Sequence, residues 1–302
     1  MRELLNLKVG DWELVGTYHP PQRISEHRVG CLFVNPGHVP RDGHGGLAAK
    51  ACDRMAARGL HCFRFDMPGL GDTKGMVPQA AETLYDFVAS GGYAGVTTEL
   101  AVQTQDRYNL QGIIMGGLCG AAVNGIYSAD SLPKTIRALM LLEPEMFKTV
   151  PQGETAEERN APVENAGVIE RVASQVFSYW GWMTLLTAEN RYAKYVPMPR
   201  KAILNLLNKR KELPSVANLR LVEAWQRVRA RRTPTLVITA QGKIREVFFD
   251  RINTACLQRV GTEGMEHIRV EGTNHLFTTG GAMDRVVGVM ENWSEKTSSR
   301  VR

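Results

Sequence analysis

The sequence predicts an α/β protein: a mostly parallel sheet covered by helices on both faces, with a helical insertion past the middle of the chain. Three observations carry this. Short apolar runs alternate with helical patterns, the order that builds a parallel sheet through helical crossovers. Cys31–Val34, Ile113–Met115 and Ile136–Leu142 are apolar almost throughout instead of alternating, as strands buried on both faces are. From about 144 to 232 the strand runs stop, and helical patterns rich in aromatics replace them.

Taken in order, residues 4–18 read as two strands around Gly10-Asp11, a hairpin signal ended by Pro20-Pro21. Cys31–Val34 is a buried strand closing on Asn35-Pro36-Gly37-His38. Gly45–Arg58 places Leu47, Ala51 and Met55 at helical spacing and stops at Gly59. His61–Phe65 is the next strand, followed by the turn-rich Asp66–Thr73. Helical patterns near Pro78–Ala89 and Ala94–Tyr108 are broken by Gly91-Gly92. A strand ending at Gly117 then turns sharply into a helix, and Ile136–Leu142 ends at Glu143-Pro144. In the insertion, Phe177–Met183 and Ile203–Leu207 read as helical. Thr235–Thr239 is a strand, Ile244–Leu257 a helix, His267–Val270 a strand, Gly272–His275 a loop, and the last helix runs from about Gly281 to Trp293. The expected division is a core of 1–143 and 233–302 with a helical lid over 144–232. The sequence has no internal repeat and no low-complexity tract.

The chain has 302 residues, 43% hydrophobic and 23% charged, enough for a sizeable core. It has no apolar stretch long enough to span a membrane and no leader-like N-terminus. Its five cysteines are scattered, with no CxxC pair and no metal-ligand spacing, which points to free thiols in a reducing cytoplasm. The histidines are dispersed too, so neither a metal nor a cofactor is expected. The net charge is +6, concentrated at Lys209–Lys211 and Arg227–Arg232. Solvated helix faces are the plain reading. The sharper one is a docking surface for an acidic carrier protein or a phosphate-bearing thioester such as coenzyme A. No nucleic-acid motif accompanies the charge. A homodimer is left open.

The chemistry centres on Gly117-Leu118-Cys119-Gly120-Ala121. This is the small-x-nucleophile-x-small form of a nucleophile elbow, with cysteine in place of the usual serine. Side chains two before and two after the nucleophile would collide where strand and helix nearly touch, and Gly117 and Ala121 meet that need. The N–H groups at the start of the following helix favour thiolate. A buried structural cysteine is the competing reading.

The order of elements resembles the α/β-hydrolase fold over nearly the whole chain. Four segments carry the likeness. Phe33–His38 looks like the strand and loop that supply one oxyanion-hole N–H. Arg64–Thr73 is similar to the family's F-D-x-x-G-x-G-x-S loop. Gly117–Ala121 matches the elbow, and Gly272–Phe277 looks like the G-x-x-H segment carrying the catalytic histidine, here His275. The Arg64–Asp72 stretch and the cysteine elbow look closest to hydrolases associated with exosortase systems. Cysteine as nucleophile is also similar to dienelactone hydrolases and to Dieckmann cyclases. One departure stands out. The family usually places an acid just after the strand at Thr235–Thr239, where this chain reads Ala240-Gln241-Gly242-Lys243-Ile244-Arg245-Glu246. Its alternative acid position, at the end of the strand after the elbow helix, is filled by Glu143.

The resemblance therefore implies a Cys119–His275–Glu143 triad, with Glu246 as reserve acid. His275 would take the thiol proton, and the carboxylate would fix the ring's tautomer. The N–H groups of Gly120 and of His38 or Gly37 would hold an oxyanion. Leu118 and the lid aromatics Tyr179, Trp180 and Trp182 would contact substrate, whereas Asp66 and Asp72 would brace their loop. The expected activity is acyl transfer from a thioester or activated ester through an acyl-cysteine, most simply a hydrolase or thioesterase acting on a small-molecule acyl substrate. A cyclase or acyltransferase working on a carrier-bound substrate, and a non-catalytic binding protein that has kept the fold, are the alternatives.

Overall fold

Eight strands form one sheet in the order β1-β2-β4-β3-β5-β6-β7-β8. The structure is a computed structural model that describes residues 2–23, 27–35, 37–77, 81–147, 213, 217–241 and 247–301, with backbone alone at 81–83 and 247–251. β1 (Glu3–Val9) and β2 (Trp12–His19) make an antiparallel hairpin across Gly10-Asp11, and β2 pairs antiparallel with β4 (His61–Phe65). The other neighbours are parallel: β3 (Val29–Val34) between β4 and β5 (Gly112–Leu118), then β6 (Ile136–Leu142), β7 (Thr235–Gln241) and β8 (Glu266–Glu271).

Burial follows the pairing. β3 is buried at all six positions, as a parallel strand covered on both faces must be. The edge strand β1 alternates exposed and buried residues along its last five positions. One face of the sheet carries α1 (Leu47–Ala57) and α7 (Ala282–Ser298), which enclose Cys31, Ile114, Met140 and Ile238. The other carries α2 (Ala81–Ala89), α3 (Ala94–Arg107), α4 (Gly120–Ser131), α5 (Leu219–Ala230) and α6 (Val247–Val260) around Leu32, Phe63, Met115 and Leu141.

Most of the 144–232 stretch lies outside the described residues, including Tyr179, Trp180, Trp182 and Lys209–Lys211. Its end is described. α5 starts at Asn218, whose side-chain oxygen accepts the Leu221 N–H at 3.2 Å, a standard N-cap. Leu221, Val222, Trp225 and Val228 are buried in the same core as α4. Two arginines of the basic run turn back onto the protein: Arg227 reaches Asp130 at 2.7 Å and Arg231 reaches it at 3.1 Å. Among the described residues, no helix is long and apolar enough to cross a membrane.

Candidate active site

The carboxyl ends of β5, β6 and β8 converge on one point, and each delivers one side chain there. At the end of β5, Cys119 adopts φ 58, ψ −120, a region that a non-glycine side chain rarely occupies. Two parts of the fold hold it there. Its N–H donates to the Leu142 carbonyl at 2.8 Å, and its carbonyl accepts from the N–H groups of Ala122 and Val123 as the first turn of α4. The turn needs glycine at 117: a Cβ there would stand 2.3 Å from the Ala121 Cβ. The small residues thus have the steric job that their spacing implies.

At the end of β6, Glu143 is also forced to positive φ, 47°, and its side chain is fully buried. Its N–H donates to the Ile238 carbonyl at 2.9 Å, and its Oε1 accepts the Ala240 N–H at the end of β7. Its Oε2 lies 3.4 Å from His275 Nδ1. The carboxylate therefore sits behind the imidazole and takes its orientation from the backbone of two strands.

His275 follows β8 in a loop pinned at both ends. The Gly272 N–H donates to the Gln241 carbonyl at 2.9 Å, and Asn274 Oδ1 accepts the Thr278 N–H at 2.9 Å. Phe277, fully buried at φ 56, anchors the far side. His275 Nε2 does not simply face sulfur. It lies 3.5 Å from Oε1 of Glu145, a residue that the sequence reading did not single out. The Glu145 carboxylate also lies beside the Cys119 thiol, and its Oε2 accepts the Tyr85 hydroxyl from α2. Donor atoms of Cys119, Glu145 and His275 lie within 4.8 Å of one another. Thiol, imidazole and carboxylate are zinc-binding types, but tetrahedral zinc with bonds of about 2.0–2.3 Å would require them to draw closer together.

The electrostatics of the thiol depart from expectation. The Gly120 N–H favours thiolate, as the helix N-terminus predicts. Burial outweighs it, followed by the charge and hydrogen bond of Glu145, so the Cys119 thiol is pushed well above its ordinary value. Burial and the neighbouring His275 lower the pKa of His44.

Cys119 is half-buried and opens on a cavity of about 320 Å³. That volume is at the small end of ligand-binding clefts. Phe33, Gly37, His38, His44, Leu118 and Cys119 line it, so the two loop residues named for the oxyanion hole and the residue before the nucleophile all face the same space. Glu246 lies outside the described residues.

Asp66 stands apart from this centre. It is fully buried and accepts from Asn35 Nδ2 at 2.6 Å, the Arg41 N–H at 2.7 Å, Arg41 Nη1 at 2.5 Å and the Asp72 N–H at 3.1 Å. Gly71, at φ 54, leaves room for it, since a Cβ there would lie 2.3 Å from the carboxyl group. Asp72 completes the brace through Arg41 at 2.7 Å. The loop residues hold each other and stand apart from Cys119, Glu143, Glu145 and His275.

No family model matches this sequence, and no curated protein aligns with it. Solved structures do. A dienelactone hydrolase from Anabaena variabilis superposes with a TM-score of 0.56 at 13% identity, over 98% of this chain and 97% of that one. A proline iminopeptidase from Mycobacterium smegmatis gives 0.57 at 12% identity, over 99% and 100%. XC6422 from Xanthomonas campestris, described as an α/β serine hydrolase without lid, gives 0.54 at 11% identity, over 98% and 94%. At these identities the likeness establishes the fold. The chain has the α/β-hydrolase fold: a mostly parallel eight-stranded sheet with helices on both faces.

Proposed function

We propose that this protein is an acyl hydrolase that cleaves a thioester or activated ester through an acyl-cysteine on Cys119. The observation that carries the reading is the strained elbow. Backbone strain at a non-glycine residue persists only where the surroundings over-determine it, and here it lifts a thiol into a cavity beside a histidine that has a buried carboxylate behind it. The fold shared with a dienelactone hydrolase and a serine hydrolase is consistent with bond cleavage.

In this reading the sulfur attacks the acyl carbon, and the oxyanion lies against the Gly120 N–H and a second donor from Gly37 or His38. Collapse expels the leaving group and leaves a thioester on the enzyme. His275, oriented by Glu143, then takes a proton from water as it attacks, and thiol is regenerated. An amine or a carbanion in place of water would make the same intermediate serve transfer or ring closure.

Intact mass spectrometry after incubation with a panel of acyl thioesters tests this, on wild type and Cys119→Ser. An acyl adduct that maps to Cys119 and decays in water supports the hydrolase; decay only with added amines or by internal carbon attack moves the assignment to a transferase or cyclase. Turnover that survives intact in Cys119→Ala would sink the covalent-cysteine reading.

A further inference from the structure

We propose that Glu145, rather than His275, accepts the proton of the Cys119 thiol, so that the resting protein holds a neutral thiol beside a carboxylate. This deepens the reading of Cys119 as nucleophile and rests on it. In a simple triad the outer ring nitrogen of the histidine faces the nucleophile directly. Here the Glu145 carboxylate is at that nitrogen: Oε1 is 3.5 Å from His275 Nε2, and a carboxylate oxygen and the Cys119 sulfur lie within 4.8 Å of each other. The chain of groups runs Cys119, Glu145, His275, Glu143.

The position of Glu145 is built, not incidental. The segment after Glu143 folds back onto two helices. The Met146 N–H donates to Asn253 Oδ1 on α6 at 3.0 Å, and the Met146 carbonyl accepts the Asn218 N–H at 2.9 Å. Met146 itself is fully buried, and Phe147 forms a bridge to Ala217. Between these anchors and β6, Glu145 has little freedom, and it is 16% exposed. The Tyr85 hydroxyl donates to its second oxygen.

The described titratable groups around this carboxylate are Tyr85 and the nearby Asp86 from α2, Cys119 at the elbow, Glu143 at the end of β6, and His275, with His44 next to His275. No lysine or arginine is among these described groups. Such a carboxylate opposes a resting thiolate, and burial and Glu145 together do raise the thiol's pKa. A carboxylate that only stabilised the fold would gain nothing from lying against the nucleophile. One that receives its proton gains from standing beside the sulfur, and it is neutralised as the thiolate forms.

The step balances as follows. The S–H bond breaks and its proton passes to a Glu145 oxygen as the sulfur lone pair forms the S–C bond. The carbonyl electron pair moves to the oxyanion. On collapse the bond to the leaving group breaks, and the leaving group takes the proton from Glu145, directly or through His275 Nε2. The sum is thiol plus acyl–X giving acyl-cysteine plus H–X, with no other reactant.

The test is the pH profile of iodoacetamide alkylation at Cys119, mapped by mass spectrometry, beside acylation by a thioester substrate, in wild type, Glu145→Gln and Tyr85→Phe. Wild type is expected to alkylate slowly at neutral pH. Glu145→Gln is expected to move the alkylation midpoint down by about one pH unit, so that the thiol alkylates about tenfold faster at pH 7. The same variant is expected to lose about 100-fold in enzyme acylation, because the proton acceptor is gone. A more reactive sulfur with slower turnover is a pairing that a merely structural role would not produce. Tyr85→Phe removes a donor from the carboxylate and is expected to move the acid limb of kcat/KM upward. An unshifted alkylation midpoint in Glu145→Gln, or an unchanged acid limb in Tyr85→Phe, would overturn the assignment. The alkylation arm uses no substrate. Failure of every thioester to acylate wild type would therefore count against acyl transfer separately, through a different reading.

Discussion

Two histidines of this protein each lie between two charged groups, and they are built differently. His19, on β2, is almost fully buried; its Nδ1 lies 2.8 Å from Asp53 and its Nε2 accepts from Arg64 Nε at 3.0 Å. Arg64 is itself buried and paired with Asp42. His275 is 28% exposed and meets its two carboxylates at 3.4 and 3.5 Å. The first arrangement is closed at both nitrogens by short bonds. The second is looser on both sides and stands within 4.8 Å of a thiol. The two buried carboxylates differ in the same way. Asp66 has four donors on its two oxygens, whereas one oxygen of Glu143 meets a backbone N–H and the other faces the ring.

The largest effect should separate the two histidines by activity. His275→Ala is expected to lower kcat by on the order of 10³-fold or more, with little change in the denaturation midpoint. His19→Gln should leave kcat per folded molecule within about a factor of three, since no reacting atom depends on it. Comparable losses of kcat in both would erase the distinction. The carboxylates should divide in the same sense. Glu143→Gln is expected to cost on the order of 10³-fold in kcat, because the amide allows the wrong ring tautomer. Asp66→Asn should instead cost about 3 kcal/mol of stability by urea denaturation, since its NH2 group would face the Arg41 donors. Folded Asp66→Asn should retain its turnover; if it lost turnover as Glu143→Gln does, Asp66 would belong to the reaction.

The sequence is legible where one local force dominates. Strands β3, β5 and β6 were readable because burial on both faces demands unbroken apolar runs, and the elbow because a close approach at Gly117 admits only glycine. Cys119, Glu143 and His275 stand at strand ends, so topology alone brings them together. Glu145 was not legible. It comes two residues after Glu143, beyond the end of β6, and reaches the sulfur only because 144–147 folds back onto α5 and α6. The signal available was the Glu-Pro-Glu string itself, a second carboxylate next to a candidate acid. Tyr85 was missed because the roll of α2 depends on tertiary packing. The direction of the thiol's shift was misread for a similar reason: the helix N-terminus is a local field visible in sequence, whereas burial and Glu145 are not, and they win.

The smallest effect is a pH dependence that belongs to the scaffold alone. Burial, then the Arg64 charge, lowers the His19 pKa from 6.5 to about 4, against the pull of Asp53. The folded protein thus prefers neutral His19, as the Arg64 Nε bond to Nε2 requires. Between pH 6.5 and about 4 the unfolded chain binds more protons at this site than the folded one. Its contribution is therefore fully present above 6.5 and is lost as pH falls toward 4. In wild type the Tm should drop across that window. In His19→Gln, whose amide oxygen can still accept from Arg64, the baseline Tm should be lower but the drop shallower. An equally steep drop in the variant would assign the acid sensitivity to other groups and leave His19 as packing only.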